Sequence, residues 1–279
     1  MPITLMYITN DPKLAAIAQD AGVDRVWVDL EYKGKEERQA GMNTVKSKHT
    51  VEDVRRLRPL LDRSFLQARV NPLDEDSREE IEAVIAAGAD YVMLPMYKTK
   101  EEVESFISLV GGRAKTILLL ETKEAAESLL EYIDTPGIDE IHIGLNDLHL
   151  SYKKTFMFEL LTDGTVERLA KILREHNIRF GFGGIARIGY GMLPAERILT
   201  QHYFLGSQMA ILSRGFCDAN LVSDPETVRD DFIVGVRNIR AKEAELALYT
   251  EADFAANYRE MCPIVEAIVE NIKSKRAGK

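Results

Sequence analysis

The sequence predicts an α/β fold, a (β/α)8 TIM barrel with a C-terminal helical extension, and three observations carry that expectation. The chain has 279 residues, the length of one barrel of roughly 250 residues plus a short appendage. Short β-rich runs alternate with longer segments of helical period from end to end, as in parallel strands joined by crossover helices. Arg69, Pro95, Glu121 and Asp147 each close or follow a proposed strand, and successive members stand 26 residues apart. A doubly wound sheet gives the same alternation, but eight units without a linker favour the barrel.

Taken in order, the expected strands are ITLMYI (3–8), RVWVDL (25–30), SFLQARV (64–70), YVMLP (91–95), TILLLE (116–121), EIHIGL (140–145), RFGFGGI (179–185) and YFLGSQ (203–208). Between them, VEDVRRLRPLL, SREEIEAVIAAG, EEVESFISLVGG, EAAESLLEYI and TVERLAKILREH show apolar residues at i, i+3 and i+4, the stripe of an amphipathic helix. Gly22, Gly88 and Gly111 stand where helix C-caps belong. Residues 226–248 read as the eighth helix, which puts the barrel at 1–249. The remainder, 250–279, is helical in period, is interrupted at Pro263 and ends in Lys273, Lys275, Arg276 and Lys279. It is expected to pack on the barrel or on a neighbouring subunit.

Lys plus Arg number 36 and Asp plus Glu 45, a net charge of −9. That balance argues against a nucleic-acid partner held by broad phosphate neutralisation. Cys217 and Cys262 have no CxxC spacing, so neither a disulfide framework nor a structural zinc site is expected. The N-terminus lacks a basic segment followed by an apolar run, and no stretch of about 18 apolar residues occurs. The expectation is a cytoplasmic protein without a membrane partner.

Strand alternation sorts the candidate chemistry. In strand two, Trp27, Asp29 and Glu31 share one side against Val26, Val28 and Leu30; in strand three, Arg69 and Asn71 share a side against Ala68 and Val70. An Arg and two carboxylates near a barrel lumen are costly to desolvate unless they pair or bind something. Arg69 therefore either pairs with Asp29 or Glu31 or offers its fork of donors to a substrate carboxylate. Glu121 ends an unbroken apolar strand and Asp147 follows the GLN run of strand six, so neighbouring units bring two carboxylates to one rim. With water and a bidentate 2-oxo acid they make an oxygen-only set suited to Mg2+ or Mn2+. Gly144 and Asn146, in that GLN run, join Asp29, Glu31 and Arg69 as candidate substrate-binding residues.

His49, in the long segment after strand two, and His149 are candidate general bases near the working rim, whereas His142 and His176 read as structural. GFGGIA (181–186) has the form GxGxxG/A, but no acidic residue ends the next strand, so nucleotide binding is rejected. Those glycines instead allow close backbone approach to a ligand or a narrow barrel strand.

VDLE (28–31), ARVNPLD (68–74), GADYVMLPM (88–96), LLLETKEA (118–125) and GIDEIHIGLNDL (137–148) resemble, in order, segments of the HpcH/HpaI aldolase and citrate lyase β-subunit family. The resemblance implies a barrel of the phosphoenolpyruvate/pyruvate superfamily, often with its eighth helix exchanged between subunits and hence a homo-oligomer. It implies a divalent-metal-dependent carbon–carbon lyase of aldolase type, acting on a small 2-oxo acid through a metal-stabilised enolate. It places the metal carboxylates on Glu121 and Asp147 and the substrate-carboxylate arginine on Arg69. The chain departs from the aldolase branch at three points. Tyr32 stands where a histidine follows the acidic residue of strand two, Ala86 replaces its companion aspartate, and Leu119 replaces a glutamine before the metal glutamate. The usual acid–base dyad is thus absent. Two alternatives follow: a citrate lyase β-like enzyme acting on acyl thioesters, and a non-catalytic barrel that binds a carboxylate metabolite.

Overall fold

The structure, a computed structural model, describes residues 2–34 and 49–277. Its strands are β1 (Thr4–Ile8), β2 (Arg25–Asp29), β3 (Phe65–Arg69), β4 (Tyr91–Leu94), β5 (Lys115–Leu120), β6 (Glu140–Ile143), β7 (Arg179–Phe182), β8 (Gly184–Ile185) and β9 (Met209–Leu212). They follow the order β7-β6-β5-β4-β3-β2-β1-β9-β8, and each pairing is parallel. β7 and β8 are one strand interrupted at Gly183, whose φ of 48° takes the backbone into the left-handed region. Across the seam the Gln208 amide donates to the Phe180 carbonyl at 2.7 Å and the Ser213 amide to that of Ile185 at 2.9 Å. The ring is a TIM-type barrel with eight strand positions.

The last strand corrects the sequence reading. Residues 203–208 were expected to form it, but Tyr203–Leu205 complete an α-helix, Ala195–Leu205, that stops at Gly206 in the left-handed conformation. An apolar YFL run fits a buried helix turn as well as a strand, and periodicity alone does not separate them. MAIL, three residues beyond Gly206, is the strand. EAAESLLEYI likewise forms two short helices, broken at Ser128, whose hydroxyl donates to the Glu124 carbonyl at 2.8 Å.

The outer layer is built by α1 (Pro12–Asp20), α2 (Val51–Leu57), α3 (Ser77–Ala86), α4 (Lys100–Val110), α5 (Lys123–Glu127), α6 (Leu129–Tyr132), α7 (Leu145–Ser151), α8 (Glu159–Thr162), α9 (Thr165–Glu175), α10 (Ala195–Leu205) and α11 (Arg229–Leu246). α12 (Glu251–Ala277) runs through Pro263 rather than breaking there. Pro263 is exposed, so the carbonyl it leaves without a donor faces water, while Met261, Val265 and Val269 bury one face at i, i+4 and i+8. Tyr258 donates to the Thr162 carbonyl at 2.8 Å and Arg197 pairs with Glu260, which seats α12 on α8 and α10.

Inside the ring, side chains stack in layers. At the N-terminal end Arg25 makes a two-pronged pair with Glu140 at 2.6 and 2.7 Å, Arg179 joins the same carboxylate, and the Arg25 guanidinium lies 3.8 Å from the centre of the Tyr91 ring. Above them Trp27, Met93, Ile117 and Leu119 form an apolar plug. Above that plug, at the C-terminal ends, the lumen opens into a cavity.

Candidate active site

Alternation along β2 and β3 places Asp29 beside Arg69, which are partners in the sheet register. Arg69 donates from Nε to Asp29 Oδ1 and from Nη2 to Asp29 Oδ2, both at 2.8 Å, and its Nη1 lies 3.1 Å from Glu31 Oε2. Burial alone would ease the proton off Arg69, but the Asp29 and Glu31 charges hold it and raise its pKa well above the ordinary value. Each guanidinium nitrogen thus makes one carboxylate contact, leaving one N–H on each Nη for a further acceptor. The pairing and the donor fork coexist in one side chain.

Glu121 follows β5 and is buried. Its Oε1 accepts from the Met96 amide at 3.2 Å. Met96 holds a φ of 56°, strained for a side chain of this kind; it follows Pro95 and turns its N–H toward the carboxylate. Gly144, after β6, gives Glu121 its space, since a Cβ built there stands 2.9 Å from both the Glu121 Cβ and Oε2. The Glu121 pKa is raised well above the carboxylate range, by burial first and then by the Asp147 charge, with Arg69 opposing. Asp147 lies in the first turn of α7.

These residues face one cavity of about 340 Å3 at the C-terminal end of the barrel, with Asp29, His49, Arg69, Glu121, Gly144, Asn146 and Asp147 in its wall. Glu31 reaches the site through Arg69. Among the described residues, Asp11, Asp29, Glu121, Asp147 and Asp218 bring five carboxylates to this wall, and Arg69 and Arg214 two guanidiniums.

Among the described residues no three His, Cys, Asp or Glu side chains cluster as a metal site. A Mg2+ site needs only one or two carboxylates when water and substrate oxygens complete the set. Glu121 and Asp147 fit that requirement, since both are hard oxygen donors in the wall of one cavity.

The histidines separate clearly. His49 Nδ1 accepts the Asp29 amide at 3.0 Å, so the neutral ring carries its proton on Nε2. His149 is buried, bonds the Leu145 carbonyl at 3.1 Å, and does not line the cavity. His142 sits at the cavity floor, where burial lowers its pKa to about 4. Tyr32, at the position of the missing histidine, is 63% exposed and outside the cavity wall. Its amide and that of Lys33 both donate to Asn71 Oδ1 at 3.0 Å, fixing the chain where it leaves β2.

Gly183 and Gly184 line the cavity, and a Cβ at Gly181 would come within 2.1 Å of the Met209 carbonyl. A narrow strand therefore accounts for Gly181, while Gly183 and Gly184 bring backbone to the cavity wall. Sequence reading missed Arg214, Asp218 and Asn220, which line the mouth. With the last strand placed at 203–208, nothing marked the residues after Leu212 as strand-end positions. It also missed Met96, whose strained backbone has no signature in a chain without a glycine there.

A family model described as HpcH/HpaI aldolase/citrate lyase matches residues 3–159. No curated protein matches the chain. Among solved structures, an HpcH/HpaI aldolase from Desulfitobacterium hafniense is 14% identical with a TM-score of 0.61, over 86% of this chain and 93% of that one. An HpcH/HpaI aldolase/citrate lyase family protein from Burkholderia cenocepacia is 14% identical with a TM-score of 0.60, over 76% of this chain and 88% of that one. At these identities the two structures speak for the fold.

Proposed function

Because the chain belongs to the HpcH/HpaI aldolase/citrate lyase family, we propose that it is a divalent-metal-dependent carbon–carbon lyase acting on a small 2-oxo acid. The observation that carries this reading is the convergence of Arg69, Glu121 and Asp147 on a single cavity in whose wall, among the described residues, carboxylates outnumber guanidiniums. Glu121 and Asp147 would hold Mg2+ or Mn2+. The bound cation would polarise the substrate carbonyl and offset the charge that develops on the oxo-acid half as the bond breaks.

The remaining Nη hydrogens of Arg69 bind the substrate carboxylate, and Asp29 and Glu31 orient that guanidinium from behind. Gly144 keeps the space into which Glu121 projects. Asn146, in the first turn of α7, offers an amide to the same substrate. His49, in the cavity wall and accepting the Asp29 amide at Nδ1, is the candidate proton-transfer group beside Asp29.

The test is a chelator-treated protein assayed on a 4-hydroxy-2-oxo acid. Release of pyruvate should require added Mn2+ or Mg2+ and should fall by at least about a hundredfold in Arg69→Ala. Metal-independent release would contradict the reading.

A further inference from the structure

The cavity has two ends of opposite character. Arg69, Glu121 and Asp147 gather at the ends of β3 and β5 and beyond β6. With β7 and β8 counted as one interrupted strand, β1 stands opposite β5 in the ring and β9 opposite β4. The wall facing Glu121 is therefore supplied by β1 and β9, where Ile8 and Ile211 pack on the lumen side while their neighbours Tyr7 and Leu212 belong to the core under the helices. Trp27 and Leu119 make the floor, and Ile8 and Ile211 pack on the cluster to which both belong.

The charged groups on this side lie at the mouth, in the loops that follow β1 and β9. Among the described residues they are two carboxylates, Asp11 and Asp218, and one guanidinium, Arg214. A second carboxylate on a ligand, seated against Ile8 and Ile211, would lose hydration on an apolar surface and would face those two acids, with Arg214 the one cation on this side among the described residues. The floor atoms without a partner among the described residues, Trp27 Nε1 and His142 Nδ1, belong to uncharged groups and do not compensate a buried carboxylate. The volume of about 340 Å3 also leaves room beyond a three-carbon oxo acid.

Resting on the lyase reading above, we propose that the portion of the substrate beyond the bond that breaks is an uncharged apolar group, branched or aromatic, seated against Ile8 and Ile211. In the cleavage direction the carbinol oxygen at C4 loses its proton, the C3–C4 bond pair stays with C3, and C4 leaves as an apolar aldehyde. C3 then takes up a proton, so the products are a 2-oxo acid and the aldehyde, with no change in net oxidation state. Selectivity arises because the wall solvates the apolar half and rejects a dicarboxylic one.

Two ligands with the same head test this at equilibrium. In the presence of Mn2+, 4-methyl-2-oxopentanoate should bind at least about tenfold more tightly than 2-oxoglutarate by titration calorimetry. Equal or tighter binding of 2-oxoglutarate overturns the inference even if the protein proves to be a lyase, and failure of both acids to bind overturns it together with the lyase reading. In turnover, the ratio of kcat/KM for 3-methylbutanal over 4-oxobutanoate as acceptors with pyruvate should favour the former by a similar factor. Ile211→Arg should reverse that ratio, which does not depend on the fraction of active enzyme. An unchanged ratio in this variant contradicts the seating of the apolar group on that wall.

Discussion

Asp29 grips Arg69 through both carboxylate oxygens, each 2.8 Å from a different guanidinium nitrogen. The geometry leaves the outward N–H groups of both Nη atoms as the donors available to substrate, so Asp29 decides which edge of Arg69 is presented. Asp29→Asn should weaken this grip and raise the KM for a 2-oxo acid more than it lowers kcat. Because it leaves a nearly buried guanidinium short of a partner, it should also cost about 3–5 kcal/mol of stability. Steady-state kinetics beside urea unfolding check both parts; unchanged KM would remove Asp29 from the binding role.

Gly144 is required by contact rather than by backbone conformation, since a Cβ there reaches 2.9 Å from Glu121 Oε2. Gly144→Ala should fold and yet displace the Glu121 carboxylate. Mn2+ affinity should fall by about 10–100-fold, the range seen when a ligand loses its positioning. Mn2+ titration followed by electron paramagnetic resonance measures this, and wild-type affinity in the variant would place the metal elsewhere.

The Arg25–Glu140–Arg179 cluster lies at the opposite end of the lumen from the cavity. Glu140→Gln leaves two guanidiniums without their carboxylate and should cost on the order of 3–5 kcal/mol. Ligand affinity of the folded fraction should stay within about twofold of wild type, because the apolar plug separates the two layers. Denaturant unfolding and calorimetry on the same sample distinguish a structural role from a catalytic one.

His142 and His202 are buried, and desolvation lowers their pKa values from 6.5 to about 4 and about 3. An unfolded chain binds protons on these rings at a higher pH than the folded one does. Stability from this source is therefore complete above pH 6.5 and is lost as pH falls toward the folded values. For His142 the depression corresponds to roughly 3 kcal/mol once pH has passed below 4. Unfolding midpoints between pH 7 and 4.5 should fall more steeply for wild type than for His142→Gln; parallel curves would contradict the buried neutral assignment.

Much of the site was readable because strand period and unit length are both regular. The alternation along 25–31 and 65–71 put Asp29 and Arg69 on the lumen side, and they are register partners. The 26-residue spacing brought Arg69, Glu121 and Asp147 to one cavity. Arg25 shares the parity of Trp27 and Asp29, so its inward direction was legible, but its partner Glu140 lies on β6, and no local pattern pairs residues 115 apart. The eighth strand was misplaced because an apolar helix turn and a buried strand look alike over four residues. That error hid Arg214 and Asp218. Met96 escaped because its φ of 56° is imposed by tertiary structure on a residue that does not prefer it.

The central claim is that Glu121 and Asp147 hold a divalent cation where Arg69 holds a 2-oxo acid. Exchange of the C3 hydrogens of pyruvate with deuterated solvent, followed by NMR, tests it without needing the partner aldehyde. Exchange should depend on added Mn2+ and should be lost in Glu121→Ala and in Asp147→Asn. Absence of metal-dependent exchange in the wild-type protein, or its persistence in both variants, would contradict the account.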